Sequence, residues 1–287
     1  MKITPLAADS MGSRSMATLV RLGGWSILID PGAALGPRRY GLPPHPLEVE
    51  RLREHRESIK EAARKAQILV ITHYHHDHYH PEDLEIYRDK TLVVKDPEAH
   101  INKSQAGRAR ALLEAVEGLA RGVMVAEGRV LSLGEGELLF SQPVPHGKSP
   151  RLGYVVQVAV RERGDTFLFT SDVQGPLLPS HQEFILAMDP RLLYVDGPMT
   201  YMLGTRFSRE DLDVALKNLM EILATTRVET LILDHHLTRD PGYKRAIEPV
   251  VALARDLGKE VVSAAGYLGR GEDLLEARRR ELYRGEP

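Results

Sequence analysis

Five histidines and an aspartate fall within eight residues of this chain, His73-Tyr-His75-His76-Asp77-His78-Tyr-His80. Imidazole and carboxylate together are the ligands of zinc, iron and manganese. The cluster comes just after Ile68-Leu-Val-Ile71, a short, mostly β-branched run that reads as a buried strand. A His-rich surface tract also binds metal loosely, but such a tract has no reason to sit at the end of a buried strand. A strand end is a rigid platform, and loops on rigid platforms carry chemistry.

Three further apolar runs end in residues of the same kind: His146 after one, Asp172 after the next, and His235 and His236 after the last. One histidine at a strand end means little, because a lone histidine is usually a satisfied polar group. Four such ends in one chain are hard to assign to coincidence. His73, His75, Asp77, His78, His146, Asp172 and His235 make seven candidate ligands. A structural zinc takes about four, so the count argues for two ions sharing a bridging group, ~3.5–4 Å apart. His235 is preferred as the last ligand because it stands two residues beyond the apolar run, with His236 as the alternative. Asp30, ahead of Pro31-Gly32, either caps that turn or hydrogen-bonds to the metal loop from behind. His76 and His80 stand outside the ligand set.

His73-x-His75-x-Asp77-His78 matches the HxHxDH signature of the metallo-β-lactamase superfamily. Asp30, His146, Asp172 and His235 resemble its first, third, fourth and fifth motifs, so the likeness runs over nearly the whole chain. It looks closest to an uncharacterised subfamily of metal-dependent hydrolases known mainly from archaea and thermophiles. The resemblance implies an α/β fold, an αββα four-layer sandwich of two mixed β-sheets flanked by helices, with residues 1–287 as a single domain and the site at one edge. It implies two divalent metal ions per chain, zinc first, with iron and manganese also compatible. His73, His75 and His146 would hold one, Asp77, His78 and the last histidine the other, and Asp172 would bridge them. A metal-bridging hydroxide would be the nucleophile, with Asp77 as ligand and catalytic proton acceptor. The family's di-iron, oxygen-reducing branch places Glu where this chain has His75, so the pattern is hydrolytic.

Lys148 and Arg151 follow His146, and Arg38 and Arg39 lie in a Gly/Pro-rich loop ahead of the site. A basic mouth would favour a phosphate, although these are also ordinary solvated charges in a chain with 38 Lys and Arg. The segment His146 to Tyr154 resembles the matching motif of RNA-processing members of the superfamily. The reading is a phosphodiester, either a small molecule or a short nucleic acid end. The alternative is a thioester or lactone hydrolase, with Met199-Thr-Tyr201-Met202-Leu203 lining an acyl pocket. A catalytically inactive metal-binding module is the third reading, and the intact ligand set argues against it.

The rest of the chain must hold these residues in place. It has 287 residues, 43% hydrophobic and 27% charged, as in an ordinary globular protein. The formal net charge is −2, too small to draw it to nucleic acid or a membrane as a whole. No cysteine is present, so any metal is held by nitrogen and oxygen. The N-terminus lacks a secretory apolar core, and no apolar run approaches the ~20 residues of a membrane span. The cytoplasm is the default expectation, with no membrane and no protein partner in evidence and the oligomeric state open. Abundant Arg and Glu without Cys is compatible with a thermophilic source.

Periodicity places strands over residues 2–30, with Gly23-Gly24 as a hairpin turn, a loop over 33–46, and a helix over 47–66. A short helix starts at Pro81, and a strand follows over 91–95. A helical region runs from Asp96 to about Leu119, broken near Gly107. Short strands cover 123–126, 129–133, 137–144, 153–161 and 166–170. A helix over 181–188, a strand over 192–195 and a helix from Ser208 to Leu223, capped with Asp211, come next. A strand over 229–233, a helix over 241–257, a strand over 260–263 and a terminal helix from about Glu272 finish the chain.

Overall fold

Gly23 and Gly24 take φ of 49° and 86°, the left-handed backbone that a two-residue turn between twisted strands requires. They join β2 (Thr18–Leu22) to β3 (Trp25–Ile29), and β2 also pairs antiparallel with β1 (Lys2–Pro5). Then come α1 (Pro46–Lys65), β4 (Ile68–Ile71), β5 (Thr91–Val94), α2 (Lys103–Val116) and β6 (Gly122–Val125). The first sheet has the order β1-β2-β3-β4-β5-β6 and is parallel from β3 onward. These are the features of a computed structural model that describes residues 1–285.

The second half supplies β7 (Val130–Leu133), β8 (Gly136–Phe140), β9 (Val144–Pro145), β10 (Tyr154–Val155), β11 (Val158–Glu162) and β12 (Asp165–Phe169). After α3 (Pro179–Met188), β13 (Leu192–Asp196), α4 (Arg209–Thr225) and β14 (Thr230–Asp234) come α5 (Tyr243–Ala246), α6 (Glu248–Asp256), β15 (Glu260–Val262), α7 (Ala264–Tyr267) and α8 (Arg279–Arg284). The second sheet runs β15-β14-β13-β12-β11-β8-β7, antiparallel from β7 to β12 and parallel beyond.

The layering follows from strand periodicity. In β4, Ile68 and Val70 join one apolar cluster while Leu69 and Ile71 join another, because alternate side chains leave opposite faces of a strand. The first cluster lies between the sheets, with Val20, Ile27 and Val70 against Val158, Phe167 and Ile232. The second packs the outer face of the first sheet on Ile59 and Ala63 of α1 and Leu112 of α2. A third packs Leu168, Leu193 and Leu231 on Ile185, Leu219 and Val250 of α3, α4 and α6. Helices, sheet, sheet and helices make the expected αββα sandwich.

Several boundaries differ from the sequence reading. The helical region after Asp96 begins at Lys103, because the Asp96 carboxylate accepts the Glu98 and Ala99 N–H groups in a turn and Asn102 caps the helix. It passes through Gly107 unbroken: that residue is exposed, and a glycine costs a helix only about 1 kcal/mol. The helix expected over 241–257 is two helices divided at Ile247, since Pro249 has no N–H to offer Arg245. The terminal helix starts at Arg279 rather than Glu272: residues 275–278 form turns, and Glu276 among them is paired with Arg14. Glu286 and Pro287 at its expected end lie outside the described residues. The short helix after Pro81 is a 3-10 turn over Leu84–Tyr87. The strand over 137–144 divides into β8 and β9, and that over 153–161 into β10 and β11. β9 and β10 form a small ribbon of their own, which carries His146.

One buried face of α1 yields a pH prediction. His55 Nδ1 lies 2.7 Å from Ser13 Oγ. Burial, with Arg51 and Arg270 nearby, lowers the imidazole pKa to about 4. The unfolded imidazole titrates near ~6.5, so between these values the unfolded chain binds a proton that the folded chain refuses. His55 therefore stabilises the fold fully above about 6.5, and that contribution is lost as pH falls toward about 4. Urea unfolding at pH 7 and pH ~4.5 should show a smaller loss of stability in His55→Gln than in the natural chain. Equal losses would contradict it.

Candidate metal centre

Parallel strands of both sheets end at one edge, where α/β proteins place their sites. Asp30 follows β3, His73 follows β4, Asp172 follows β12, Asp196 ends β13 and His235 follows β14. The chain turns sharply there. Asp30, Ser171, Gln174 and His235 take φ of 49°, 58°, 57° and 57°, a left-handed backbone that costs a non-glycine residue about 1–2 kcal/mol. Hydrogen bonds hold three of these turns. Asp30 accepts the Thr72 N–H at 2.8 Å and its hydroxyl at 2.6 Å. The His235 N–H donates to Asp234 Oδ1 at 2.7 Å and the Gln174 N–H to Asp196 Oδ2 at 2.7 Å.

These turns gather the chemistry around Asp172. Its carboxylate lies 3.5 Å from His73 Nε2, 2.9 Å from His78 Nε2, 3.1 Å from His146 Nε2 and 3.4 Å from His235 Nε2. Ligand-capable atoms of His73, His75, His146 and Asp172 all lie within 4.8 Å of one another, and those of Asp77, His78 and His235 do likewise. The Nε2 atoms of His73, His78 and His146 and the Asp172 Oδ1 are buried without a hydrogen-bond partner. These nitrogens crowd the Asp172 carboxylate at 2.9–3.5 Å without forming hydrogen bonds, and cations placed among them would satisfy all four atoms. The donor set therefore fits a metal of nitrogen and oxygen preference.

Groups behind the imidazoles aim them. His78 Nδ1 lies 2.7 Å from Asp30, His235 Nδ1 2.7 Å from Asp9, and His236 Nδ1 2.8 Å from Asp196. A carboxylate on one ring nitrogen fixes the tautomer and presents the other nitrogen to the site. His73 Nδ1 meets the Ser171 hydroxyl at 3.2 Å. Asp9 and Asp196 were not among the residues singled out from the sequence. Asp196 carries the same signal as Asp30, an aspartate closing an apolar run, whereas Asp9 lies 226 residues from His235 and has no local signal.

Burial lowers the pKa of His73 to about 4 and that of His75 to about 2, leaving both neutral, the form that binds metal. Burial works the same way on His78, but Asp172 and Asp30 more than offset it and lift that imidazole to about 10. The anionic pull that favours a proton there also favours a cation.

The two groupings differ in one respect. The buried Arg239 guanidinium donates through Nε to Asp9 at 2.7 Å. Its Nη2 comes within 3.1 Å of His235 Nε2 and 3.7 Å of Asp77 Oδ2. His236 groups with Asp172 and His235 but not with Asp77 and His78. His76 is exposed beside Tyr79, and His80 Nδ1 accepts the N–H groups of Glu82 and Asp83.

A cavity of about 720 Å³ opens onto the cluster. His75, Asp77, His146, Asp172 and His236 line it, with Met199, Tyr201 and Met202 on the wall. Of the four basic residues singled out from the sequence, Arg38 and Arg39 line it and Lys148 and Arg151 do not. Lys148 turns away to pair with Asp211, the capping residue of α4, and Arg151 is exposed. Arg14, Arg108, Arg206 and Arg239, which the sequence reading passed over, line the cavity instead.

Residues 26–236 match the family model for the beta-lactamase superfamily domain. The chain is 50% identical over 284 residues to a UPF0282 protein of Korarchaeum cryptofilum, covering 99% of this chain and 94% of that one. Among solved structures it resembles the metallo-beta-lactamase fold protein YhfI from Bacillus subtilis, with TM-score 0.52 and 14% identity over 90% of this chain and 93% of that one. It also resembles Igni18, a metallo hydrolase from Ignicoccus hospitalis, with TM-score 0.51 and 15% identity over 94% of this chain and 95% of that one. At such identities the likeness is one of fold. Among the described residues no helix is long and apolar enough to cross a membrane.

Proposed function

This chain belongs to the beta-lactamase superfamily domain family and to the UPF0282 proteins, metal-dependent hydrolases by that superfamily membership, and we propose that it holds two divalent cations and hydrolyses a phosphodiester. The observation that carries the proposal is the convergence of three buried imidazole nitrogens and one carboxylate oxygen, all unpartnered, beneath an arginine-walled cavity. His73, His75, His146 and Asp172 would hold one cation. Asp77, His78 and His235 would hold the other, with Asp172 shared between them. Zinc suits the donors best, and iron and manganese are compatible. Both sheets deliver residues to the one site, which supports reading the chain as one domain.

When bound, such a pair of cations supplies an acidified water and a Lewis-acid hold on the scissile phosphoryl oxygen. The chain itself does the rest. Burial would raise the pKa of Asp77, but His78, His235 and Arg239 hold it well below the usual carboxylate range. It stays ionised, the form a proton acceptor needs. Arg38 and Arg39 face the cavity, where planar guanidinium groups suit phosphate oxygens. A small phosphodiester or a short nucleic acid end fits a cavity of about 720 Å³.

Met199 and Met202 line the same cavity, which favours a second reading, a thioester or lactone hydrolase whose acyl chain lies against them. One sample distinguishes the two. Elemental analysis of protein purified without added metal should give about two metals per chain, and that sample should turn over bis-p-nitrophenyl phosphate but not lactones or acyl thioesters. Turnover of the acyl substrates alone would establish the second reading. No turnover of any ester would leave only a metal-binding module. Less than one metal, not restored by zinc, iron or manganese, would remove the premise.

A further inference from the structure

The cavity above the metal cluster carries more positive charge than a simple phosphodiester needs. Six arginines line it. Arg14 is paired with Glu276 and Arg239 with Asp9. The other four, Arg38, Arg39, Arg108 and Arg206, form no ion pair among the described residues. The carboxylates facing the cavity are Asp77 and Asp172, and two divalent cations would more than neutralise both. A phosphodiester brings one negative charge. In a chain of formal net charge −2, four unpaired guanidinium groups around one cavity are a local feature.

Arg39 is the member of this group held most firmly. Its Cζ lies 4.6 Å from the Tyr40 ring centroid and 4.7 Å from that of Tyr201. One Nη2 hydrogen bond, 2.9 Å to the Arg239 carbonyl, fixes its edge, and its Nε is buried without a partner. The loop beneath is also anchored. Arg39 and Leu42 exchange backbone hydrogen bonds of 3.0 and 2.9 Å. The buried Arg279 donates to the Gly36 carbonyl at 3.0 Å and the Leu42 carbonyl at 3.1 Å, while gripping the buried Glu48 through two bonds. A guanidinium stacked on aromatic rings and tied at one edge is a preorganised fork for phosphate. Tyr201 in turn lies parallel to the His236 ring at 6.5 Å, so the fork stands beside the metal cluster.

We propose that the substrate carries a second phosphate group besides the scissile one, seated on Arg39, with Arg206 and Arg38 at the mouth. This rests on the metal-centre reading above, in which the cations hold the scissile group. The second phosphate could belong to a small bisphosphate or to a phosphorylated nucleic acid end.

Binding tests it without requiring turnover. Thymidine 5′-monophosphate and thymidine 3′,5′-bisphosphate are titrated by calorimetry into the zinc-loaded protein. The bisphosphate should bind roughly tenfold or more tightly, the gain expected of one charge-assisted contact. Arg39→Gln should bring the two affinities together, and Arg39→Lys should restore only part of the gap, because lysine keeps the charge without the fork. Arg163→Gln, an exposed charge paired with Glu135, should leave the gap as it was. A 5′-phosphorylated trinucleotide binding tighter still would assign the phosphate to a nucleic acid end, and binding no tighter than the bisphosphate would assign it to a small molecule. Equal affinities, absence of binding by both nucleotides, or a gap that survives Arg39→Gln would overturn the proposal. Turnover of bis-p-nitrophenyl phosphate with equal affinities would remove the second phosphate alone. Tighter bisphosphate binding with no ester turnover would remove the hydrolytic reading alone.

Discussion

Asp172→Asn should abolish hydrolysis and metal retention together. Asp172 is only 1% exposed, and four imidazole nitrogens stand 2.9–3.5 Å from its two oxygens. An amide of the same shape removes the negative charge from the middle of that set and turns one oxygen into a donor. The donor would face nitrogens that are needed as metal ligands. Both cations would lose the group they share, so metal content should fall from about two per chain to below one. The rate should fall by at least the roughly 10²–10³-fold that follows loss of a single transition-state stabiliser. Elemental analysis and single-substrate kinetics on one preparation read both quantities. Full metal content with lost activity would make Asp172 a positioning residue, and full activity would remove it from the centre.

Three of the proposed ligands share a property that was legible in the sequence: each closely follows an apolar run. His73, Asp172 and His235 stand just past β4, β12 and β14, and a buried strand announces its own end through hydrophobicity. The αββα layering came from the family resemblance, and the strands agree with it, because runs such as Ile68 to Ile71 have no polar face and must be covered on both sides. What faces what across the two sheets was not legible. Asp9 reaches His235 over 226 residues and Arg239 over 230, and no local pattern encodes such a contact. The cavity wall shows the same limit. Lys148 and Arg151 follow His146 closely in the chain, yet Lys148 turns away to Asp211. Arg108 on α2 and Arg206 before α4 reach the cavity only through the packing of their elements. Adjacency along the chain was a good guide to the residues that meet around Asp172 and a poor one to long side chains, whose direction is set by neighbours.

Neighbouring histidines at the end of β14 supply the second large effect. His235→Ala should release one of the two cations, and His236→Ala should release neither. His235 is fully buried and shares a grouping with Asp77 and His78, and Asp9 holds its Nδ1 so that Nε2 faces the centre. His236 is also held by a carboxylate, Asp196, at 2.8 Å, but it lines the cavity and stands outside that grouping. Substituting it should alter turnover while leaving the metals in place. The guanidinium of Arg239, 3.1 Å from His235 Nε2, places a fixed positive charge beside the site proposed for the second cation. The first cation would meet no such charge, because Arg239 contacts Asp9, His235 and Asp77 and, among the described residues, no hydrogen bond or ion pair joins it to His73, His75 or His146. Titration of zinc into the metal-free protein should therefore show two steps, the weaker about tenfold or more below the stronger, as an unfavourable charge contact of a little over a kcal/mol requires. His235→Ala should lose the weaker step and keep the stronger. Loss of a step in His236→Ala, with both kept in His235→Ala, would exchange their roles. A single step of two equivalent ions would mean that Arg239 moves aside before either cation arrives.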